Sequence, residues 1–174
     1  LNLPKLKFLH LYSNKISEFK NCDFPLLEEL RISDNYLTSI EDFKSKNLKI
    51  LHANNNVIRD VHPILENLEH MSLKNNLLTN NSFFPKGNKL KIIDLSYNKF
   101  IGFSDEKFKS VMLRQLYLQN NEISIIELTK LNYGSVNLSH NKIDTIDNIL
   151  VLFKNNVQIN NLNLSYNDLK IMTN

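Results

Sequence analysis

The sequence predicts an α/β-type repeat solenoid, with one curved parallel β-sheet on the concave face and mostly loops or short 3-10 and helical turns on the convex face. Three observations carry that prediction. An eleven-residue frame, clearest in Leu90-Lys91-Ile92-Ile93-Asp94-Leu95-Ser96-Tyr97-Asn98-Lys99-Phe100, places apolar residues first, fourth, sixth and last, and asparagine ninth. The frame returns with steps of 21, 21, 20, 22, 23, 20 and 26 residues between its asparagines. Units repeated at that period bury their apolar sides only by stacking on one another. Within each copy, apolar residues two apart, as in Leu9-His10-Leu11, have the period of a strand with one buried face.

Taken in order, the copies are Leu6, Leu9, Leu11, Asn14, Ile16; Leu27, Leu30, Ile32, Asn35, Leu37; and Leu48, Leu51, Ala53, Asn56, Ile58. They continue as Leu68, Met71, Leu73, Asn76, Leu78; the Leu90 copy; and Leu113, Leu116, Leu118, Asn121, Ile123. Two looser copies follow, Tyr133, Val136, Leu138, Asn141, Ile143 and Ile159, Leu162, Leu164, Asn167, Leu169. Strands are expected at about 8–12, 29–33, 50–54, 70–74, 92–96, 115–119, 135–139 and 161–165. Each coil returns on the far side to start the next, so neighbouring strands run parallel.

The asparagine column, Asn14, Asn35, Asn56, Asn76, Asn98, Asn121, Asn141 and Asn167, sits where the chain leaves each strand and turns inward. An amide both donates and accepts, so it can satisfy backbone groups of its own and the adjoining coil. Its expected role is structural. The return segments carry a second apolar series five places on, at Phe19, Ile40, Val61, Phe103, Ile126, Ile146 and Met172. Asn81 interrupts it, and Phe83-Phe84-Pro85 follows to supply an apolar group. Most return segments are too short for full helices, and the longest, with Asp147 to Lys154, is the best candidate for a helical turn or two. Only three glycines are present, so turns must use Asn, Asp, Ser and Pro.

On this frame the chain resembles the leucine-rich repeat proteins along essentially its whole length. The resemblance implies one domain, residues 1–174, of about eight repeats. Disulfide-bonded caps are missing at both ends, so a fragment of a longer chain is expected. Several subfamilies share spellings with it. Asn98 to Phe108, and Phe24 after Ile16, match return segments common in extracellular repeats, and Leu48 to Val61 resembles coils of the mosquito immune proteins. The second and third copies instead resemble a short intracellular class that includes a phosphatase regulatory subunit. An extracellular or secreted location leads; a cytoplasmic one is the alternative.

Composition narrows the function. A net charge of +3 and a pI near 8.9 fall short of the concentrated basic stripe that nucleic-acid binding needs. No apolar run reaches the ~18 residues of a membrane span. Cys22 is the single cysteine, so neither an internal disulfide nor a cysteine zinc site can be assembled. His10, His52, His70 and His140 fall on or beside the strands, but no third ligand accompanies His52 and His70, and no metal or other cofactor is expected. A nucleophile with a converging base is also missing, as are phosphate-cradling glycine loops. The expectation is therefore a non-enzymatic module that binds another protein.

The exposed strand positions supply the surface. Aromatic, aliphatic, Arg and His groups, the types that dominate interface energetics, occupy the first six coils, whereas the last two carry Ser and Asn. The expected partner-binding set is Phe8, His10, Tyr12, Arg31, Ile50, His52, His70, Lys74, Ile92, Asp94 and Tyr117. An innate-immune or receptor-ectodomain setting suits it. The alternatives are an intracellular regulatory or scaffolding subunit and a structural component of a large assembly. Asn80, Asn137 and Asn163 open glycosylation triplets, a weak signal in so asparagine-rich a chain.

Overall fold

The computed structural model describes residues 3–19, 22–40, 45–61, 65–84, 89–108, 113–129, 132–145, 147–149 and 157–170. Twelve strands and one 3-10 turn are defined among them. Eight strands form the main sheet: β1 (Phe8–His10), β2 (Glu29–Arg31), β4 (Ile50–His52), β6 (His70–Ser72), β7 (Ile92–Asp94), β9 (Gln115–Tyr117), β11 (Asn132–Asn137) and β12 (Gln158–Asn163). All seven pairings are parallel, and the register sets Leu9, Leu30, Leu51, Met71, Ile93, Leu116, Val136 and Leu162 side by side. The architecture is a leucine-rich repeat solenoid.

The frame dictates this result residue by residue. First, fourth, sixth and last positions point into one continuous core; Leu27, Leu30, Ile32 and Leu37 are all essentially inaccessible to solvent. Each of these side chains stabilises the fold by roughly 1.5 to 3 kcal/mol on burial. End coils are less enclosed: Leu6, Leu9, Leu11 and Ile16 at one end, and Ile159, Leu162, Leu164 and Leu169 at the other, are only partly buried.

Strand ends differ from the expectation. The first six strands stop two residues early, and β11 and β12 begin three residues early. The early stop has a local cause. The residue preceding each ladder asparagine adopts the left-handed region, at Ser13, Asp34, Asn55, Asn75, Tyr97, Asn120, His140 and Tyr166, with φ between 52° and 58°. A pleated ladder cannot continue through that conformation.

The convex side holds more strand than the return lengths suggest. β3 (Ser39–Ile40) pairs with β5 (Asp60–Val61), and β8 (Gly102–Ser104) pairs with β10 (Ile125–Glu127), both parallel. A 3-10 turn, Asp105–Lys107, follows β8, with the Glu106 amide donating to the Ser104 hydroxyl. Phe84, Phe100, Phe103 and Phe108 pack against one another here, with Phe84 and Phe108 edge to face at 5.1 Å. Phe84 thus fills the space that the interruption at Asn81 leaves. Asp147 to Ile149 are helical; residues 150–154 of that predicted turn, together with Ile146, Met172 and Pro85, lie outside the described residues.

Candidate functional site

Every strand of the main sheet turns its third and fifth frame positions away from the core, because successive side chains of a strand alternate in direction. Phe8, Glu29, Ile50, His70, Ile92 and Gln115 therefore stand in one row, and His10, Arg31, His52, Ser72, Asp94 and Tyr117 in the next. Nine of the eleven predicted residues thus stand in two adjoining rows, and Tyr12 and Lys74 follow beyond the ends of β1 and β6. Phe8 and Tyr12 are 60% and 56% exposed, large values for aromatic rings held by a sheet. His10 lies between them and packs its ring 6.4 Å from that of Tyr12.

Glu29 organises this end of the face. Its carboxylate accepts from the Arg31 Nε–H and pairs with His10 Nε2 at 3.1 Å. The Arg31 hydrogen bond holds the Glu29 carboxyl below its ordinary range. On the next strand, His52 is half-buried, and burial pushes its pKa down, helped by Arg31 and His70 and opposed by Glu29. The sign of the linkage follows. The unfolded chain takes up a proton at His52 near pH 6.5 while the folded chain resists it, so this contribution is complete above pH 6.5 and fades below. Thermal unfolding midpoints should fall between pH 7.5 and 5.5, and His52→Gln should flatten that slope.

Not all predicted residues stand ready for a partner. The Asp94 carboxylate accepts from the Ser96 amide at 2.9 Å and the Ser96 hydroxyl at 2.6 Å, closing the strand end. Lys74 lies over the Tyr97 ring at 5.1 Å, and the Tyr117 hydroxyl donates to Gln115 at 3.2 Å. Asn137 and Asn163 repeat the Asp94 geometry, each Oδ1 accepting from the amide and hydroxyl of Ser139 or Ser165. The Asn-Leu-Ser spelling thus does backbone chemistry that Asp-Leu-Ser does equally well. Asn80 Oδ1 accepts from the amides of Ile101 and Gly102 on the convex side.

The asparagine column lies just beneath the rim of this surface. Asn98 shows the pattern: its Nδ2 donates to the carbonyls of Leu95, Ser96 and, one coil back, Leu73, while its Oδ1 accepts from the Leu78 amide. Asn35, Asn56, Asn76, Asn141 and Asn167 reach back to the preceding coil with the same set, and Asn121 with all but one bond of it. Asn14, in the first coil, donates to Leu11 and Tyr12 at 3.1 and 3.2 Å.

Two columns go beyond the sequence-based expectation. The second frame position carries Lys7, Glu28, Lys49, Glu69, Lys91 and Arg114, each just ahead of a strand on successive coils. Lys7 and Lys49 flank Glu28 at 3.4 and 2.7 Å, and Lys91 meets Glu69 at 2.6 Å. The alternation of sign is present in the sequence and becomes visible once the register is applied. The other column is the left-handed one, where Asn55 donates to Asp34 at 2.8 Å and Asn75 to Asn55 at 3.0 Å. Its residue types vary, so no sequence signal marks it. Among the described residues, no three His, Cys, Asp or Glu side chains gather to hold a metal ion, and no helix is long and apolar enough to cross a membrane.

The coil geometry, the core columns and the asparagine bonds are those of a leucine-rich repeat solenoid, and residues 89–111 match the Leucine Rich Repeat family model. Two proteins similar to the chain are much longer than it. It is 36% identical over 83 residues, 46% of its length, to the 187-kDa microtubule-associated protein AIR9 of Arabidopsis thaliana. It is 29% identical over 137 residues, 71% of its length, to podocan of Mus musculus. The matched segments make up 5% of the former and 22% of the latter.

Proposed function

We propose that the concave face binds a protein partner, with its centre over β1, β2 and β4. The observation that carries this reading is the exposed pair Phe8 and Tyr12 beside the His10, Glu29 and Arg31 network. Aromatic rings and an arginine held on a rigid sheet lose little ordering entropy on association, and these residue types dominate interface energetics. Ile50, His70 and Ile92 extend the same row as partly buried neighbours, in register. The double substitution Tyr12→Ala with Arg31→Ala should weaken partner binding by about 2 kcal/mol or more, the scale of interface hot spots. Thermal unfolding should hardly move. Unaltered affinity, measured by titration calorimetry with the native partner, would remove this end of the face from the interface.

A secreted recognition protein of the innate-immune or receptor kind suits the return-segment spellings around Phe24 and Phe103. Under that reading Asn80, Asn137 and Asn163 are glycan acceptors, and glycans at the last two would cover the C-terminal part of the concave face. Mass spectrometry of protein from its native source scores all three. Bare sites favour the second reading, an intracellular scaffolding subunit, which the similarity to a microtubule-associated protein supports.

A further inference from the structure

The second frame position forms a row of side chains whose backbones are joined coil to coil. The amides of Glu28, Lys49, Glu69, Lys91, Arg114 and Gly134 each donate to the carbonyl of the row's preceding member at 2.8 Å. Strands so joined stand about 4.8 Å apart, so neighbouring side chains of the row share one electrostatic environment. Signs alternate from Lys7 to Lys91, and Glu28 and Glu69 between them pair all three lysines. The next member breaks the alternation. Arg114 is exposed, stands beside the like-charged Lys91, and has no acidic partner among the described residues. On its other side the row continues with Gly134, which has no side chain. A Cβ built there would meet only the Arg114 carbonyl oxygen, at 3.4 Å, and otherwise open space.

We propose that Arg114 and Lys91, with the space over Gly134, form the docking point for a carboxylate in an acidic segment of the protein partner. The inference rests on the concave face being the recognition surface, where Gln115 directly follows Arg114 in the chain, and names the chemistry that a partner on that face brings to its edge. A glutamate or aspartate entering over Gly134 continues the alternation that the row itself abandons. The planar guanidinium can meet the carboxylate with two parallel N–H donors, a geometry lysine cannot offer. Gln115 and Tyr117, hydrogen-bonded to each other at 3.2 Å on the same strand, present an amide and a ring alongside for the backbone of that segment.

The probe is a fluorescein-labelled octaglutamate peptide, titrated with the protein in low salt and followed by fluorescence anisotropy. Saturable binding that weakens at higher ionic strength is expected. Arg114→Glu should weaken it by about tenfold or more, the scale on which losing a charge-assisted contact is read. Gly134→Glu supplies the missing acid within the chain and should weaken peptide binding comparably while leaving the thermal midpoint unchanged or slightly raised. No saturable binding, or equal affinity for the wild-type protein and Arg114→Glu, overturns the proposal. So does an Arg114-dependent preference for a heparin oligosaccharide over the peptide, which would assign the site to sulfates. The broader reading is judged separately, because Tyr12 follows β1, Arg31 lies on β2, and their double substitution is scored on the native partner.

Discussion

Asn98→Ala is expected to lower the thermal midpoint by roughly 10 °C or more. Four backbone groups depend on this one amide: the carbonyls of Leu73, Leu95 and Ser96 and the amide of Leu78, all within 3.1 Å of it. The side chain is buried, so water cannot replace it without opening the coil. A buried group left without its partner costs about 1 to 3 kcal/mol. Partial relaxation leaves a net loss of about 4 kcal/mol, and each kcal/mol moves the midpoint of a domain this size by about 2 to 4 °C. Asn98→Asp separates the two halves of the argument. It keeps an acceptor for Leu78 but turns a charged oxygen towards three carbonyls, and should cost at least as much as alanine. Asn14→Ala is the control, because its bonds are confined to the exposed first coil. A small effect at Asn98, measured by calorimetry, would mean that the coils hold together without the ladder.

The second large effect is expected at Asp105, on the convex side. Its carboxylate is fully buried and accepts from the Thr129 amide at 2.9 and 3.0 Å, the Thr129 hydroxyl at 2.7 Å and the Tyr133 hydroxyl at 2.5 Å. These bonds tie the 3-10 turn after β8 to the segment that leads into β11. Asp105→Ala strands the Thr129 amide and the Tyr133 hydroxyl and should cost about 3 to 5 kcal/mol, the scale of a broken buried polar pair. Tyr133 adds a pH signature. Burial first, and then its bond to Asp105, pushes its pKa far above the ordinary tyrosine value of 10.0. The unfolded chain releases that proton near pH 10 while the folded chain keeps it. Stability from this group is complete below pH 10 and declines as the pH rises beyond it. Tyr133→Phe should be less stable at neutral pH yet show a shallower alkaline decline. Equal slopes between pH 9.5 and 11 in chemical denaturation would refute the assignment.

The two sites differ in how far the sequence announces them. Asn98 belongs to a column that repeats eight times in the frame, so its place at the strand exit can be read from spacing alone. The same holds for the core, because Leu30 or Leu116 must face inward wherever the frame recurs. Asp105 meets Tyr133 across 28 residues and one coil boundary, and nothing repeats around it. The concave face falls between these cases. Spacing assigns Phe8, Arg31 and His70 to their rows, but side-chain rotamers decide the contacts within a row. Glu29 joins His10 to Arg31, and Asp94 turns back upon Ser96. Strand ends are not legible in the spacing, because the left-handed residue that cuts each strand short is Ser, Asp, Asn, Tyr or His by turns.

That left-handed residue has a consequence for what the molecule shows to its surroundings. Glycine would adopt the conformation without strain and leave a bare edge. Here all eight positions carry side chains, so the bend that ends each strand also mounts a group on the rim. Tyr166, 76% exposed, stacks its ring on His140 at 4.2 Å, one coil away, and Tyr97 holds the Lys74 ammonium. The rim is in effect a printed line with one character per coil, at a pitch set by the sheet. Characters can be exchanged one at a time without touching the core, which gives the solenoid a surface able to change its vocabulary while its grammar stays fixed.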